Sequence, residues 1–159
     1  MTPAQKRASA LALATAIAVP AEGLRQMAYK DPVGIPTICF GTTRGVKLGD
    51  YKTLPECKAL LTADMQGAVD AVDRCVKFDL TAKQWAAFAD LTYNAGPTAV
   101  CDTSKSTMAR KLAAGDIVGG CFELPKWDKA RVAGVLVALP GLTKRRAEEM
   151  KLCLAEDTV

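Results

Sequence analysis

Three residues stand out for what their types and spacing could do: Glu22, Asp31 and Thr37. They fall in the run Glu22-Gly-Leu-Arg-Gln-Met-Ala-Tyr-Lys-Asp31-Pro-Val-Gly-Ile-Pro-Thr37, which carries two carboxylates and a hydroxyl. Cleaving a glycosidic bond requires a proton for the leaving oxygen and something to meet the positive charge that grows at the sugar carbon. Two carboxyls in different environments supply both. Glu22, at the end of an apolar stretch, is the better candidate acid, because partial burial disfavours an ionised carboxylate. Asp31, in a turn, is wetter and suited to stabilising charge or activating water, with Thr37 helping to hold that water. Carboxylates at helix ends and turns are also common on any protein surface, so this spacing alone is equally compatible with no catalytic role.

The elements around the triplet must bring it together. Ala21 to Gln26 is expected to close an Ala-rich helix, and Met27–Lys30 and Thr37–Phe40 read as two short strands. Between them, Asp31 to Pro36 holds the Pro and Gly that a tight reversal needs. Val46 and Leu48 suggest a brief third strand. Thr53-Leu-Pro-Glu56 is a capping box that opens a helix, along which Leu61, Met65, Ala68, Val69, Val72 and Val76 form an apolar stripe. Asp64, Asp70 and Asp73 are placed on its surface. Thr81-Ala-Lys-Gln84 is a second capping box, followed by Trp85, Phe88, Ala89 and Thr92 at helical spacing. This helix runs into Tyr93-Asn94-Ala95-Gly96-Pro97, where Asn94 reads as either a helix-end cap or a ligand-facing amide. Ser104–Ala114 and Asp116–Leu124 are expected as short helices. Val132–Leu139 reads as a strand by propensity, with a surface loop or helix turn as alternatives. Thr143 is expected to cap a last helix over Lys144–Ala155.

Composition narrows the chemistry. The chain has 159 residues, half of them hydrophobic, and a formal net charge of +4. That is enough for one core and one domain. The basic residues thicken toward the C-terminal half, which suits an anionic polymer partner. Aromatics do not interleave with them, so stacking-based nucleic-acid binding is not expected. Histidine is absent, which removes His-based triads and His-containing zinc sites. No metal or other cofactor is expected. The six cysteines, Cys39, Cys57, Cys75, Cys101, Cys121 and Cys153, contain no C-x-x-C pair. An even count without metal-type spacing points to disulfides in an exported protein, although fifteen pairings are possible.

The E-x8-D-x5-T spacing, with the flanking EGL, YKD and T-x-x-x-G, resembles the phage-type lysozymes of glycoside hydrolase family 24. The likeness continues through Tyr93-Asn94-Ala95-Gly96, Trp127 and Gly141-Leu142-Thr143-Lys144-Arg145-Arg146, from about Ala16 onward. One departure is Thr42, where many members place His. The resemblance implies an α+β, lysozyme-like fold, mainly α-helical, with a small N-terminal β-hairpin lobe and a larger helical C-terminal lobe. Within a single domain, residues 1–21 would form an N-terminal apolar helix, 22–52 the hairpin lobe and 53–159 the helical lobe. It implies Glu22, Asp31 and Thr37 as catalytic residues, with Asp31 a base because the family is generally regarded as inverting. Tyr29, Tyr93, Asn94 and Arg146 are the substrate-binding candidates. Arg146 is the first choice to orient Glu22 and Arg145 the second, against the alternative that the arginine pair is a solvated helix start. The family fold suggests the pairs Cys39–Cys57, Cys75–Cys101 and Cys121–Cys153.

Met1–Arg7 is short and basic, and Ala8–Ala21 is charge-free. That stretch is too short for a dependable bilayer span but matches a signal-type apolar region behind a basic leader. Cleavage near Ala16-Ile17-Ala18 would strip Glu22 of its helix. The segment resembles a short version of the uncleaved signal-anchor of related endolysins. Alternatively it is simply the first helix of the fold, and both can hold. The expected activity is that of an endolysin muramidase, a glycoside hydrolase cutting the β-1,4 bond between N-acetylmuramic acid and N-acetylglucosamine in bacterial peptidoglycan. The chain would work as a monomer in the host periplasm after a transient inner-membrane stage. The alternatives are a lytic transglycosylase, which needs the glutamate but not the aspartate, and a non-catalytic basic wall-binding module.

Overall fold

A computed structural model describes residues 1–157. Three long helices begin with the same device, Thr-x-x-Glu/Gln. These are α1 (Pro3–Glu22), α2 (Leu54–Cys75) and α3 (Ala82–Ala95). In each, the threonine hydroxyl accepts the N–H three residues on, and that residue's side chain accepts the threonine N–H. Such a box satisfies helix-end donors and is worth about 1 kcal/mol. The two expected boxes at Thr53 and Thr81 are present, and Thr2 with Gln5 adds a third.

α1 ends at Glu22, earlier than the Gln26 expected, because Gly23 takes a φ of 69° and its N–H returns to the Val19 carbonyl at 3.1 Å. The chain leaves directly into β1 (Arg25–Lys30), which pairs antiparallel with β2 (Pro36–Cys39) in the register Arg25 to Cys39 and Tyr29 to Thr37. No third strand forms around Val46 and Leu48; that loop meets the hairpin at the isolated bridges Met27–Tyr51 and Ile38–Thr42 and through the Gln26 side-chain amide, which donates to the Lys52 carbonyl at 3.2 Å.

The helical body is built on α3, whose run Ala86–Leu91 is completely buried. The expected stripe on α2 packs against it. α1 lays Ala10, Ala14 and Ala18, all fully buried and four residues apart, along the same core. Methyl-sized side chains let the two helix backbones approach closely. Short helices α4 (Thr98–Cys101), α5 (Thr107–Ala113) and α6 (Ile117–Glu123) follow, then a 3-10 turn (Leu124–Trp127). Val132–Leu139 resolves as part of a second hairpin, β3 (Lys129–Val132) with β4 (Val135–Ala138). The last helix, α7 (Pro140–Leu154), starts before the expected Lys144 because Pro140 suits a first helical turn. Thr143 is therefore inside that turn and not its cap; its hydroxyl lies 2.9 Å from Asp128 Oδ2.

Three disulfides cross-link these elements: Cys39–Cys57 joins β2 to α2, Cys75–Cys101 joins α2 to α4, and Cys121–Cys153 joins α6 to α7. They close separations of 18, 26 and 32 residues, a constraint on the unfolded chain worth about 2–4 kcal/mol each. A small hairpin unit beside a helical body is the α+β, lysozyme-like architecture expected.

Candidate active site

Glu22 is the last residue of α1, and the helix end sets its surroundings. Its side chain is 21% exposed. Oε1 accepts a hydrogen bond from Nη1 of Arg145 at 2.6 Å. Its other carboxylate oxygen lies against Gly41, in the turn just after β2, whose φ is 97°. Next to both, Tyr93 on α3 donates its hydroxyl to the Phe40 carbonyl at 2.5 Å. Burial, with the Glu22 carboxylate nearby, pushes the Tyr93 phenol above its ordinary range, so it remains a donor at any working pH.

The arginine that meets Glu22 is Arg145, the second choice from sequence. It is 4% exposed and bridges two carboxylates. Asp90 on α3, fully buried, accepts from Nε at 2.8 Å and Nη2 at 2.7 Å, which leaves Nη1 for Glu22. Burial opposes the charge on Arg145, but the Asp90 and Glu22 contacts outweigh it and hold the guanidinium protonated. Arg146 is instead fully buried on the other side of α7, bonded to Glu149 Oε1 at 2.7 Å and within 3.5 Å of the Trp127 carbonyl. Successive helical residues point about 100° apart, so one of the pair faces Glu22 and the other faces the core. Arg146 is therefore not placed to bind substrate or to orient Glu22.

Asp31 and Thr37 form a separate unit joined through Ile35. Asp31 Oδ1 accepts the N–H groups of Val33 at 3.0 Å and Ile35 at 2.8 Å. The Ile35 carbonyl accepts the Asp31 N–H at 3.0 Å and the Thr37 hydroxyl at 2.9 Å. The Asp-Pro-Val-Gly turn thus fixes the aspartate through its own backbone, an Asx-type arrangement. Thr37 is 4% exposed and sits opposite Tyr29 in the hairpin register. Tyr29 itself carries the Arg25 guanidinium over its ring, 4.2 Å from the centroid.

A groove of about 390 Å³ runs from Gly41 and Tyr93 between the loop after β2 and helix α2. Its α2 wall is made of small residues, Ala63, Gly67, Ala68 and Ala71, and its rim carries Arg44, Asp64 and Arg74. Asp64 therefore belongs to the groove and not to the outer surface. It accepts the Thr42 hydroxyl at 2.9 Å and pairs with Arg44. Asn94 lies within α3, half-buried beside Tyr93, and Gly96 rather than Asn94 terminates the helix. Among the described residues, no group of three or more His, Cys, Asp or Glu side chains is placed to hold a metal ion.

The family model for phage lysozyme matches residues 20–149, spanning Glu22 to Glu149. The chain belongs to the phage lysozyme family. A SAR-endolysin of Pseudomonas phage phiKMV is 39% identical over 148 residues, covering 93% of this chain and 90% of the relative. Among solved structures, the muramidase domain of SpmX from Asticaccaulis excentricus aligns with a TM-score of 0.78 at 29% identity, covering 90% of this chain and 95% of that one. An endolysin from Escherichia coli O157:H7 phage FAHEc1 aligns with a TM-score of 0.76 at 34% identity, covering 92% and 90%. As a member of this family, the chain is a lysozyme-type glycoside hydrolase.

Sequence reading missed three contributors to the site: Asp90, Gly41 and Asp64. Asp90 carried a signal, being the one charge in the otherwise apolar run Ala86-Ala-Phe-Ala-Asp90-Leu. An aspartate there is stable only if a buried cation meets it. Gly41 is the glycine of the T-x-x-x-G pattern, which marks the position without showing that it touches Glu22; Asp64 gave no comparable sign.

Proposed function

We propose that this chain is an endolysin muramidase in which Glu22 protonates the leaving oxygen of the β-1,4 bond between N-acetylmuramic acid and N-acetylglucosamine. The observation that supports this most is the setting of Glu22. Its carboxyl sits at a helix end, oriented by a buried arginine and packed against Gly41, which lines a groove of about 390 Å³. An acid fixed in this way meets the glycosidic oxygen without having to be ordered at the moment of reaction.

Asp31 is the base that activates water. Both turn N–H groups fall on Oδ1, so Oδ2 is the oxygen free to take a proton from water. Thr37 spends its hydroxyl proton on the Ile35 carbonyl, so toward that water it acts as an acceptor. An inverting pair needs room for the water, about 6.5–9.5 Å between carboxyls. Tyr29, Tyr93 and Asn94 line the approach as sugar contacts. Peptidoglycan is the substrate, and the protein acts as a monomer in the periplasm, exported with α1 as a signal-anchor that associates transiently with the inner membrane. No helix among the described residues is long and apolar enough to cross a membrane. The organisation is a single domain, with 1–21 as the anchoring helix, 22–52 the hairpin lobe and 53–159 the helical lobe.

Glu22→Gln keeps shape and removes the proton donor. Its lysis of purified cell walls should fall at least about a hundredfold; wild-type lysis would end the assignment. Mass spectrometry of the released sugars should show reducing ends, whereas anhydro sugars would indicate transglycosylation. Fractionating cells that carry Met1–Leu24 fused to a reporter tests the membrane stage.

A further inference from the structure

Five charged side chains meet where α1, α3 and α7 converge: Glu22, Asp90, Arg145, Arg146 and Glu149. Asp90, Arg146 and Glu149 are completely shut off from solvent. Two ionised carboxylates packed together in such a space repel strongly, and a bound proton is the cheapest way to relieve that.

The contacts show where the proton belongs. Both oxygens of Asp90 accept from Arg145, and Glu22 accepts from the same guanidinium. Glu149 Oε1 accepts from Arg146 at 2.7 Å and lies 3.9 Å from Arg145 Nε. Glu149 Oε2, however, is buried without a donor, and the neighbouring carboxylate is Asp90. Two ionised carboxylates have no hydrogen to share between them.

We infer that Glu149 carries a proton which it donates to Asp90, and that Asp90 is the positioning residue that turns Arg145 toward Glu22. This rests on Glu22 being the acid. Burial pushes the Glu149 carboxyl well above the usual carboxylate range. Asp90 then grips one edge of the guanidinium through Nε and Nη2. A planar fork held along one edge cannot rotate, so Nη1 is fixed on Glu22. Asp90 also offsets the charge of Arg145 next to the acid.

The other charged and titratable groups packed nearby are engaged elsewhere. Tyr93 on α3 donates to the Phe40 carbonyl. Asp64 on α2 serves Thr42 and Arg44. Glu123 on α6 is paired with Lys111 and Lys126. Arg146 Nη1 meets the Trp127 carbonyl, and its Nε–H is buried without an acceptor.

The test uses the full-length protein on purified cell walls, recording rate against pH. In Asp90→Asn, Glu22 faces an uncompensated cation. The alkaline limb of the profile should move toward acid, with kcat at neutral pH down about tenfold and KM nearly unchanged. A profile superimposed on wild type overturns the positioning role. If that variant does not fold, Arg145→Lys takes its place. One ammonium cannot hold Asp90 and Glu22 together, so kcat should drop at least about tenfold, and a wild-type rate overturns the proposal. The proton is read independently by infrared spectroscopy. The comparison is made with Glu22 already replaced: Glu22→Gln near neutral pH should show a carboxylic-acid C=O band that Glu22→Gln/Glu149→Gln lacks; a band that persists in the double variant, or is absent from the single one, overturns it. Stability gives the same answer. A carboxyl protonated in the fold but ionised in the unfolded chain makes wild type lose stability as pH rises above the usual carboxylate range, and Glu149→Gln should flatten that slope. Glu22→Gln run alongside separates the failures. If it lyses walls normally, the acid reading is wrong; if it is inert while Asp90→Asn keeps the wild-type profile, only the positioning inference is wrong.

Discussion

A methyl group added at Gly41 would stand 2.9 Å from Oε2 of Glu22 and 3.1 Å from its Cδ. The turn after β2 thus touches the proposed acid with bare backbone, at a φ of 97° that only glycine adopts cheaply. Gly41→Ala should cost about 1–2 kcal/mol from backbone strain alone. It should also displace the Glu22 carboxyl, lowering wall-lysis rate by more than its loss of thermal stability accounts for. Rates measured well below Tm, beside calorimetry, check both.

Cys39 lies two residues from Thr37 and two from Gly41, and its own φ is 63°. The Cys39–Cys57 bridge fixes it to α2. Replacing both cysteines with alanine should cost about 2–4 kcal/mol and slow lysis even at temperatures where the protein stays folded. Removing Cys121–Cys153 should cost a similar amount of stability with less effect on rate, because that bridge lies at the far end of α7 from Arg145. Thermal melts and lysis assays on the two variants make the comparison.

Glu123 is buried and accepts hydrogen bonds from Lys111 at 2.7 Å and Lys126 at 3.0 Å. Those lysines hold its carboxyl below the usual range. The folded state therefore binds fewer protons than the unfolded one as the pH falls into the acid range. The stabilisation is complete above the ordinary glutamate value and is lost as pH drops through the lowered one. Glu123→Gln should be less stable than wild type at neutral pH and nearly equal to it in strong acid, as urea titrations across that range would show.

The β3–β4 hairpin turns on Ala133 and Gly134, with φ of 51° and 80°. Two left-handed residues in a two-residue loop favour Asn-Gly, and alanine is a poor occupant of the first position. Ala133→Asn should stabilise the protein by about 0.5–1 kcal/mol, read as a rise in Tm.

Much of this molecule could be read from the chain because local signals and global packing agree. Thr53 and Thr81 open helices through their own side chains, and the Leu61–Val76 stripe needs only period to be recognised as core. The Asp31–Thr37 turn carries its Pro and Gly in place. What escaped reading depends on rotation and approach. Arg145 and Arg146 are chemically identical neighbours, and only the angle of α7 decides which reaches Glu22. Asp64 looked like a surface charge because the loop that returns to it contributes Thr42 and Arg44 from outside the helix. The end of α1 was misplaced by four residues because Gly23 took a left-handed turn within a run compatible with helix.

The bond between Glu22 and Arg145 joins positions 123 residues apart. During synthesis the acid leaves the ribosome 123 residues before its guanidinium partner. A chain cut before α7 therefore lacks the contact that orients Glu22, however well its first helices have formed.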